Sequence, residues 1–226
     1  VGIVGLGHVG EQLAKRLLRL KCNVIAYDPI RKNWPPAVIR ADLDSVLSQP
    51  IVSLHANLHD QLPHPSRDLL ASKEASLMVG PQRSGEMRVL INAARGELIS
   101  ENGLEVLMES KFSLIFDTWP GEPILREPVL ARCDWVSPHI AGHSIDAKNR
   151  ASTALANAIA SWAGVDLKSG SVVIEHRRER LLDVTDMEIA APEWAIQFLS
   201  DHSVLSHEDS RLRSKACPNI GISEYA

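Results

Sequence analysis

Cysteine is scarce in this sequence. The three in 226 residues, Cys22, Cys133 and Cys217, are odd in number and nowhere spaced as CxxC. That argues against a disulfide framework or a cysteine zinc site and fits a reducing, cytoplasmic setting. The nine histidines include no HExxH pair, so no metal is expected. Long apolar runs are also missing: none approaches the roughly 20 residues of a membrane helix, and no charged stretch precedes an apolar signal core. A soluble chain with no membrane partner is expected. Positive charge is not in excess either, because 24 Lys and Arg stand against 28 Asp and Glu, a net charge of -4. This removes any general attraction to nucleic acid, so a small anionic ligand must be held by local groups. There is no internal repeat and no low-complexity tract.

What is present is a chain with 45% hydrophobic residues, enough for one full domain and a smaller appendage. It opens on Val1, without methionine and already inside an apolar run, and is therefore read as a piece of a longer protein. Val1 to Val4 predicts a strand, and apolar residues at Val9, Leu13, Leu17 and Leu20 predict a helix behind a glycine turn. "CNVIAY", Cys22 to Tyr27, completes a βαβ unit and stops at Asp28-Pro29. The alternation continues with helices over Ala41 to Ser48, Ser66 to Ser76 and Glu101 to Ser110, the last with Ser100 as its cap. Strands are expected at Ile51 to His55, Arg88 to Asn92, Ser113 to Asp117 and Trp135 to Ser137. Such alternation implies a largely parallel sheet covered on both faces. From a Ser144 cap, Ala151, Ala154, Leu155, Ala158, Ile159 and Trp162 mark one long helix; beyond Gly164, "SVVIEH" is a candidate strand and "HEDSRLRSK" a charged segment without clean periodicity.

Gly5, Gly7 and Gly10 spell G-x-G-x-x-G between the first strand and its helix, and Asp28 follows at about the 20-residue offset of a dinucleotide site. Gly5 suits a tight turn, Gly7 lets backbone approach a pyrophosphate, and Gly10 allows close packing. His8 and Val9 lie within the same loop and belong with the cofactor-binding positions, although the His8 side chain itself reads as variable. The helix N-terminus offers amide donors to phosphates. Asp28 can accept from both ribose hydroxyls and would repel a 2′-phosphate, favouring NAD over NADP, with Arg31 and Lys32 softening that preference.

Three polar residues occupy equivalent places just past successive strands: Arg95 after "VLIN", Glu122 after "SLIFD" and His139 after "WVS". Each alone has a plain alternative as a solvated charge, a turn residue or a loop scaffold. Together, at the edge of a parallel sheet where ligands bind, they suit oxidation of an alcohol. Imidazole can take the hydroxyl proton, a carboxylate can orient and stabilise it, and a guanidinium can clamp a substrate carboxylate through two hydrogen bonds. His55, His64, Trp119 and Trp135 read as packing or loop residues, and Cys133 beside Arg132 lacks the base that a thiol nucleophile needs.

Through "VGIVGLGHVG", "INAARGELI", "FDTWPGEP" and "SPHIAGHS", in that order, the chain resembles the D-2-hydroxyacid dehydrogenase family. "YDPIR", "HPSRDLL", "HIAGHSIDAKNRAS" and "APEW" bring it nearest the subfamily that oxidises 4-phospho-D-erythronate in pyridoxal 5′-phosphate biosynthesis. The resemblance implies an α/β fold, a Rossmann-like doubly wound parallel sheet with a short C-terminal appendage. It implies an NAD-binding domain over 1–143, a long crossover helix over 144–164, and a partial, dimerisation-like region over 165–226. By position it makes Arg95 the substrate-orienting residue, Glu122 the partner of the histidine, and His139 the proton donor or acceptor. It places Asp28 on the adenosine ribose, Ala56 against the cofactor, Asp117 and Gly142 near the nicotinamide, and His143 on the substrate. The sequence departs from the subfamily at "HANL", where Ala56 lacks a hydroxyl, and at His143, which replaces a tyrosine. The implied partners are a phosphorylated 2-hydroxy acid and a second copy of the chain, a frayed tail being the alternative to that homodimer. Such proteins also carry a substrate domain built mainly from N-terminal sequence not present here. The chain alone is therefore expected to bind NAD with little turnover and to expose apolar surface on the long helix. Another D-2-hydroxy acid such as 3-phosphoglycerate or glycerate, or a non-catalytic NAD-binding module, remain the competing readings.

Overall fold

A computed structural model describes residues 1–80, 88–165, 209–210 and 212–214. Seven strands form one sheet: β1 (Gly2–Val4), β2 (Ile25–Tyr27), β3 (Ile39–Arg40), β4 (Ile51–Leu54), β5 (Val89–Asn92), β6 (Ser113–Phe116) and β7 (Trp135–Val136). Their order is β3-β2-β1-β4-β5-β6-β7 and every pairing is parallel. The direction of winding reverses between β1 and β4, which leaves a crevice at their carboxyl ends, where ligands bind open sheets of this kind. Parallel strands need crossovers, and helices α1 (His8–Arg19), α2 (Leu43–Leu47), α3 (Ser72–Val79), α4 (Glu101–Glu109) and α5 (Glu127–Arg132) lie between successive strands.

Because successive strand residues point to opposite faces, the strands feed two cores. Ile3 and Ala26 join Leu6, Ala14, Val24 and Val38 in the smaller one. Val4, Val52, Leu54, Leu90, Leu114 and Phe116 belong to the larger. Helix α1 offers Ala14, Leu13 and Leu17 to the smaller core, with Glu11 in its first turn and Arg16 and Arg19 in its last, each matching the helix dipole. Ser100 caps α4 by accepting from the Gly103 amide at 3.1 Å.

Three departures from the sequence reading have local causes. The helix expected over Ser66 to Ser76 runs instead over Ser72–Val79. The Ser66 hydroxyl is spent on the loop, accepting from the His59 amide and donating to the Asn57 carbonyl, and Asp68 sits at φ 56°. Strand β3 has two exposed residues and so no burial period to read, and α5 begins at Glu127-Pro128, where proline occupies a first-turn position rather than breaking a helix. The candidate strand "SVVIEH" lies outside the described residues. Within "HEDSRLRSK", however, Asp209, Ser210 and Leu212 to Ser214 are helical, and Leu212 is buried in the larger core.

The chain divides into two compact units, Val1–Ala141 with Leu205–Ala226, and Gly142–Val204. The second holds α6 (Ile145–Ala163), capped by Ser144 and closed at Gly164 in the left-handed conformation, with Leu155, Ile159 and Trp162 exposed. No helix among the described residues is long and apolar enough to cross a membrane.

Candidate active site

The glycine loop leaves β1 with the Gly5 amide donating to the Tyr27 carbonyl at 2.8 Å. Gly5 lies at φ 87°, and a Cβ there would stand 2.5 Å from the Ala56 nitrogen; one at Gly10 would stand 2.2 Å from the Gly5 carbonyl oxygen. Both positions therefore exclude a side chain. Gly7 differs, with nothing within 4 Å of its would-be Cβ, so its backbone faces open space at the N-cap of α1. That is the arrangement a pyrophosphate requires. His8 and Val9, the first residues of α1, are exposed.

Beside the loop a cleft of about 180 Å³ is lined by Gly5, Gly7, Asp28, Ala56 and, from the following loop, His64 and Pro65. Asp28 is built into its floor. Oδ2 accepts from the Leu6 amide at 2.8 Å and Oδ1 from the Ile30 and Arg31 amides at 3.2 and 3.1 Å, so the carboxylate also ties β2 to the glycine loop. Behind Ala56, the His55 ring nitrogen Nε2 lies 2.9 Å from Ser53 Oγ, and burial holds the imidazole below its ordinary pKa. Glycine geometry, the open helix terminus and the acid that lines the cleft at the end of β2 together fit a dinucleotide.

Arg95, Glu122 and His139 follow β5, β6 and β7 respectively, all at the carboxyl edge of the sheet. His139 Nδ1 lies 2.8 Å from Glu122 Oε2, and Glu122 Oε1 accepts from the Trp119 amide at 2.7 Å, which fixes the carboxylate from behind. Both side chains are partly exposed, 29% and 24%. Arg95 is exposed, and its guanidinium donates to the Ala94 carbonyl at 2.6 Å. Its loop abuts the Glu122 loop because the next residue is Gly96, where a Cβ would lie 2.0 Å from the Trp119 oxygen.

Two buried polar residues hold these loops, and the sequence reading did not assign either role. Asn92 donates from Nδ2 to the Arg95 carbonyl at 2.9 Å and accepts from the Ala94 amide at 3.2 Å. Asp117, expected near the nicotinamide, accepts from Ser137 Oγ at 2.5 Å, the Ile140 amide at 2.8 Å and the Ala141 amide at 2.9 Å. It thus brackets His139, whose φ of 56° is a conformation L-residues seldom adopt. Trp119, buried at 1% exposure, donates from its indole to the Ser137 carbonyl at 3.0 Å and meets Phe116 edge to face, consistent with a packing role. An asparagine at a strand end beside a turn was the available signal for Asn92. Gly142 and His143 open the second unit and are exposed. Cys133 is buried, which pushes its thiol up to about 12 despite Arg132 and leaves it unreactive at neutral pH.

A parallel sheet wound in two directions, with a glycine loop at the reversal and a carboxylate at the end of β2 bonded to that loop, defines a dinucleotide-binding domain of the doubly wound α/β class. The chain belongs to the D-isomer specific 2-hydroxyacid dehydrogenases: the model of their NAD binding domain matches residues 1–141. It is 29% identical over 223 residues to the erythronate-4-phosphate dehydrogenase of Marinomonas sp. (strain MWYL1), covering 95% of this chain and 56% of that protein. With the enzyme of the same name from Proteus mirabilis (strain HI4320) it shares 35% over 167 residues, 73% of this chain and 43% of that one. Among solved structures, the NAD-complexed D-isomer specific 2-hydroxyacid dehydrogenase of Lactobacillus delbrueckii ssp. bulgaricus matches with a TM-score of 0.59 and 26% identity, over 74% of this chain and 54% of that one. D-lactate dehydrogenase with NAD+ from Lactobacillus jensenii gives 0.59 and 27%, over 73% and 53%. The chain spans about half the length of the curated relatives it matches.

Proposed function

We propose that the protein carrying this chain is an NAD-dependent dehydrogenase that oxidises 4-phospho-D-erythronate to its 2-oxo acid, on the route to pyridoxal 5′-phosphate. The observation that carries the chemistry is the His139–Glu122 pair, 2.8 Å apart at the ligand-binding edge of the sheet. The substrate assignment is supported by the relatives named erythronate-4-phosphate dehydrogenase. Cytoplasmic location and a homodimer complete the reading, on the few, scattered cysteines and the position of the C-terminal region.

With Nδ1 donating to Glu122, Nε2 is the basic nitrogen of His139 and takes the proton of the 2-hydroxyl. As the imidazolium forms, the Glu122 carboxylate stabilises it and keeps the ring in place. Arg95 has five N–H donors, one given to Ala94, and those remaining suit the substrate carboxylate in a two-bond clamp. Nicotinamide, when bound, supplies the acceptor for the hydride leaving C2. Asp28 and the α1 amides hold the cofactor's adenosine ribose and pyrophosphate, with Gly7 giving the close approach and Ala56 a wall. Asp117 and Gly142 are assigned to the nicotinamide end, and His143 to the substrate.

The test follows absorbance of the reduced nicotinamide in the intact gene product, with 4-phospho-D-erythronate, 3-phosphoglycerate and glycerate as substrates. The first should give the highest kcat/KM. His139→Ala should lower turnover by roughly 10²- to 10⁴-fold while NAD affinity stays near the wild-type value. Wild-type turnover in that variant would refute the assignment of His139, and preference for another acid would refute the substrate.

A further inference from the structure

Arg31 sits where a cation could defeat the cofactor preference that Asp28 sets. Its amide donates to Asp28 Oδ1 at 3.1 Å, so its backbone is anchored to the carboxylate assigned to the ribose. An arginine near that position is what lets dinucleotide domains accommodate a 2′-phosphate. Here the guanidinium is occupied on every arm. Nε donates to the Asn33 carbonyl, Nη1 to the Leu6 carbonyl in the glycine loop, and Nη2 pairs with Glu11 Oε2 at 2.5 Å. Glu11 is the one anion among these partners. Its other oxygen pairs with Lys15 at 2.7 Å, and together the two cations pull its carboxyl down to about 2, so it stays charged across the neutral range.

We propose that Glu11 is a specificity-determining residue, which holds the Arg31 guanidinium away from the ribose 2′ position and so keeps the adenosine subsite selective for the cofactor without a 2′-phosphate. This rests on the reading that Asp28 meets the ribose. Two carboxylates then divide the work: Asp28 repels the phosphate directly, and Glu11 sequesters Arg31, a cation that would offset the repulsion. Specificity of this sort needs an element acting against the wrong ligand as well as one favouring the right ligand. Without Glu11, Arg31 would keep only neutral carbonyl partners, which a phosphate outcompetes through charge-assisted, two-bond geometry. Arg40, the other arginine nearby, is stacked over the Trp34 ring at 5.6 Å from its centroid. A purely structural Glu11 would instead serve only as a first-turn acid of α1, and its loss would change melting without changing cofactor choice.

The experiment titrates NAD and NADP separately into the intact protein and its variants, following tryptophan fluorescence or heat, and compares the ratio of the two Kd values. Glu11→Ala should move the ratio about tenfold toward NADP, and Glu11→Gln, which keeps the side-chain length, should move it in the same direction by less. Arg31→Ala should leave the ratio within about twofold of wild type and abolish the shift when combined with either Glu11 variant. A ratio unchanged in both Glu11 variants overturns the proposal, as does a shift that survives removal of Arg31. Asp28→Ala is the separate control for the underlying reading. If it changes neither NAD affinity nor the ratio, the ribose assignment fails, whatever the Glu11 variants show.

Discussion

Asp117→Asn separates two roles that the site gives one carboxylate. The side chain is buried at 7% exposure and accepts three hydrogen bonds, from Ser137 Oγ, the Ile140 amide and the Ala141 amide. Asparagine keeps the shape and one oxygen, which can still serve Ser137 and Ile140. Its amide nitrogen must then face the Ala141 N–H, donor against donor, and the charge that strengthened all three bonds is gone. A bond to a charged acceptor is worth about 1.5–3 kcal/mol, and a buried donor left without a partner costs a similar amount, so the substitution should destabilise the protein by about 2–3 kcal/mol. Asp117→Ala, which removes every acceptor, should cost about 4 kcal/mol. The same loss releases the loop that holds His139 at φ 56°, and a misplacement of about an ångström can lower kcat by about 10²-fold. Urea unfolding followed by circular dichroism reads the first effect, and nicotinamide reduction by the intact protein reads the second. If Asp117 served only as a contact to the cofactor, Asp117→Asn would raise the KM for NAD and leave the unfolding midpoint in place. Stability within about 0.5 kcal/mol of wild type would therefore refute the bracketing role.

Two further expectations concern the frame around the site. Burial holds the His55 imidazole below its ordinary pKa, so the unfolded chain binds that proton more readily than the folded one. Its contribution to stability is complete above the ordinary value of about 6.5 and is lost as pH falls through it toward the depressed folded value. Melting temperature should therefore drop more steeply below about pH 6.5 in wild type than in His55→Gln, and parallel slopes would dismiss the effect. Leu212, at 1% exposure in the larger core, anchors a segment whose Asp209 accepts from the Val136 amide on edge strand β7 at 3.0 Å, and whose Arg213 donates to the Leu130 and Cys133 carbonyls at 3.0 and 2.7 Å. Leu212→Ala should cost about 3 kcal/mol in urea unfolding, whereas a loosely attached tail would lose less than about 0.5 kcal/mol.

The difference between what could and could not be read from the sequence follows the range of the interaction that carries it. The glycine loop was legible because its constraints are local: a turn at Gly5, close packing at Gly10 and a helix N-terminus between them fall within six residues. The rim positions of Arg95, Glu122 and His139 were legible for a different reason. Parallel topology sends the end of every strand to one edge, so alternation of strands and helices alone predicts which loops share a side. Strand β3 left no trace, since two exposed residues carry no apolar period, and the tail gave only Leu212 among charges. Least legible were the residues that convert proximity into geometry. Asn92 and Asp117 resemble any polar residue at a strand end, and Gly96 any loop glycine, until the fold brings the Trp119 oxygen to where a Cβ at Gly96 would be. Their value lies entirely in partners contributed by other loops: Asp117 binds residues 20 to 24 positions away, at the far side of β7. Sequence spacing can place a histidine on the correct edge, but the angle at which its ring meets Glu122 depends on buried acceptors whose donors are fixed only once β6 and β7 have paired.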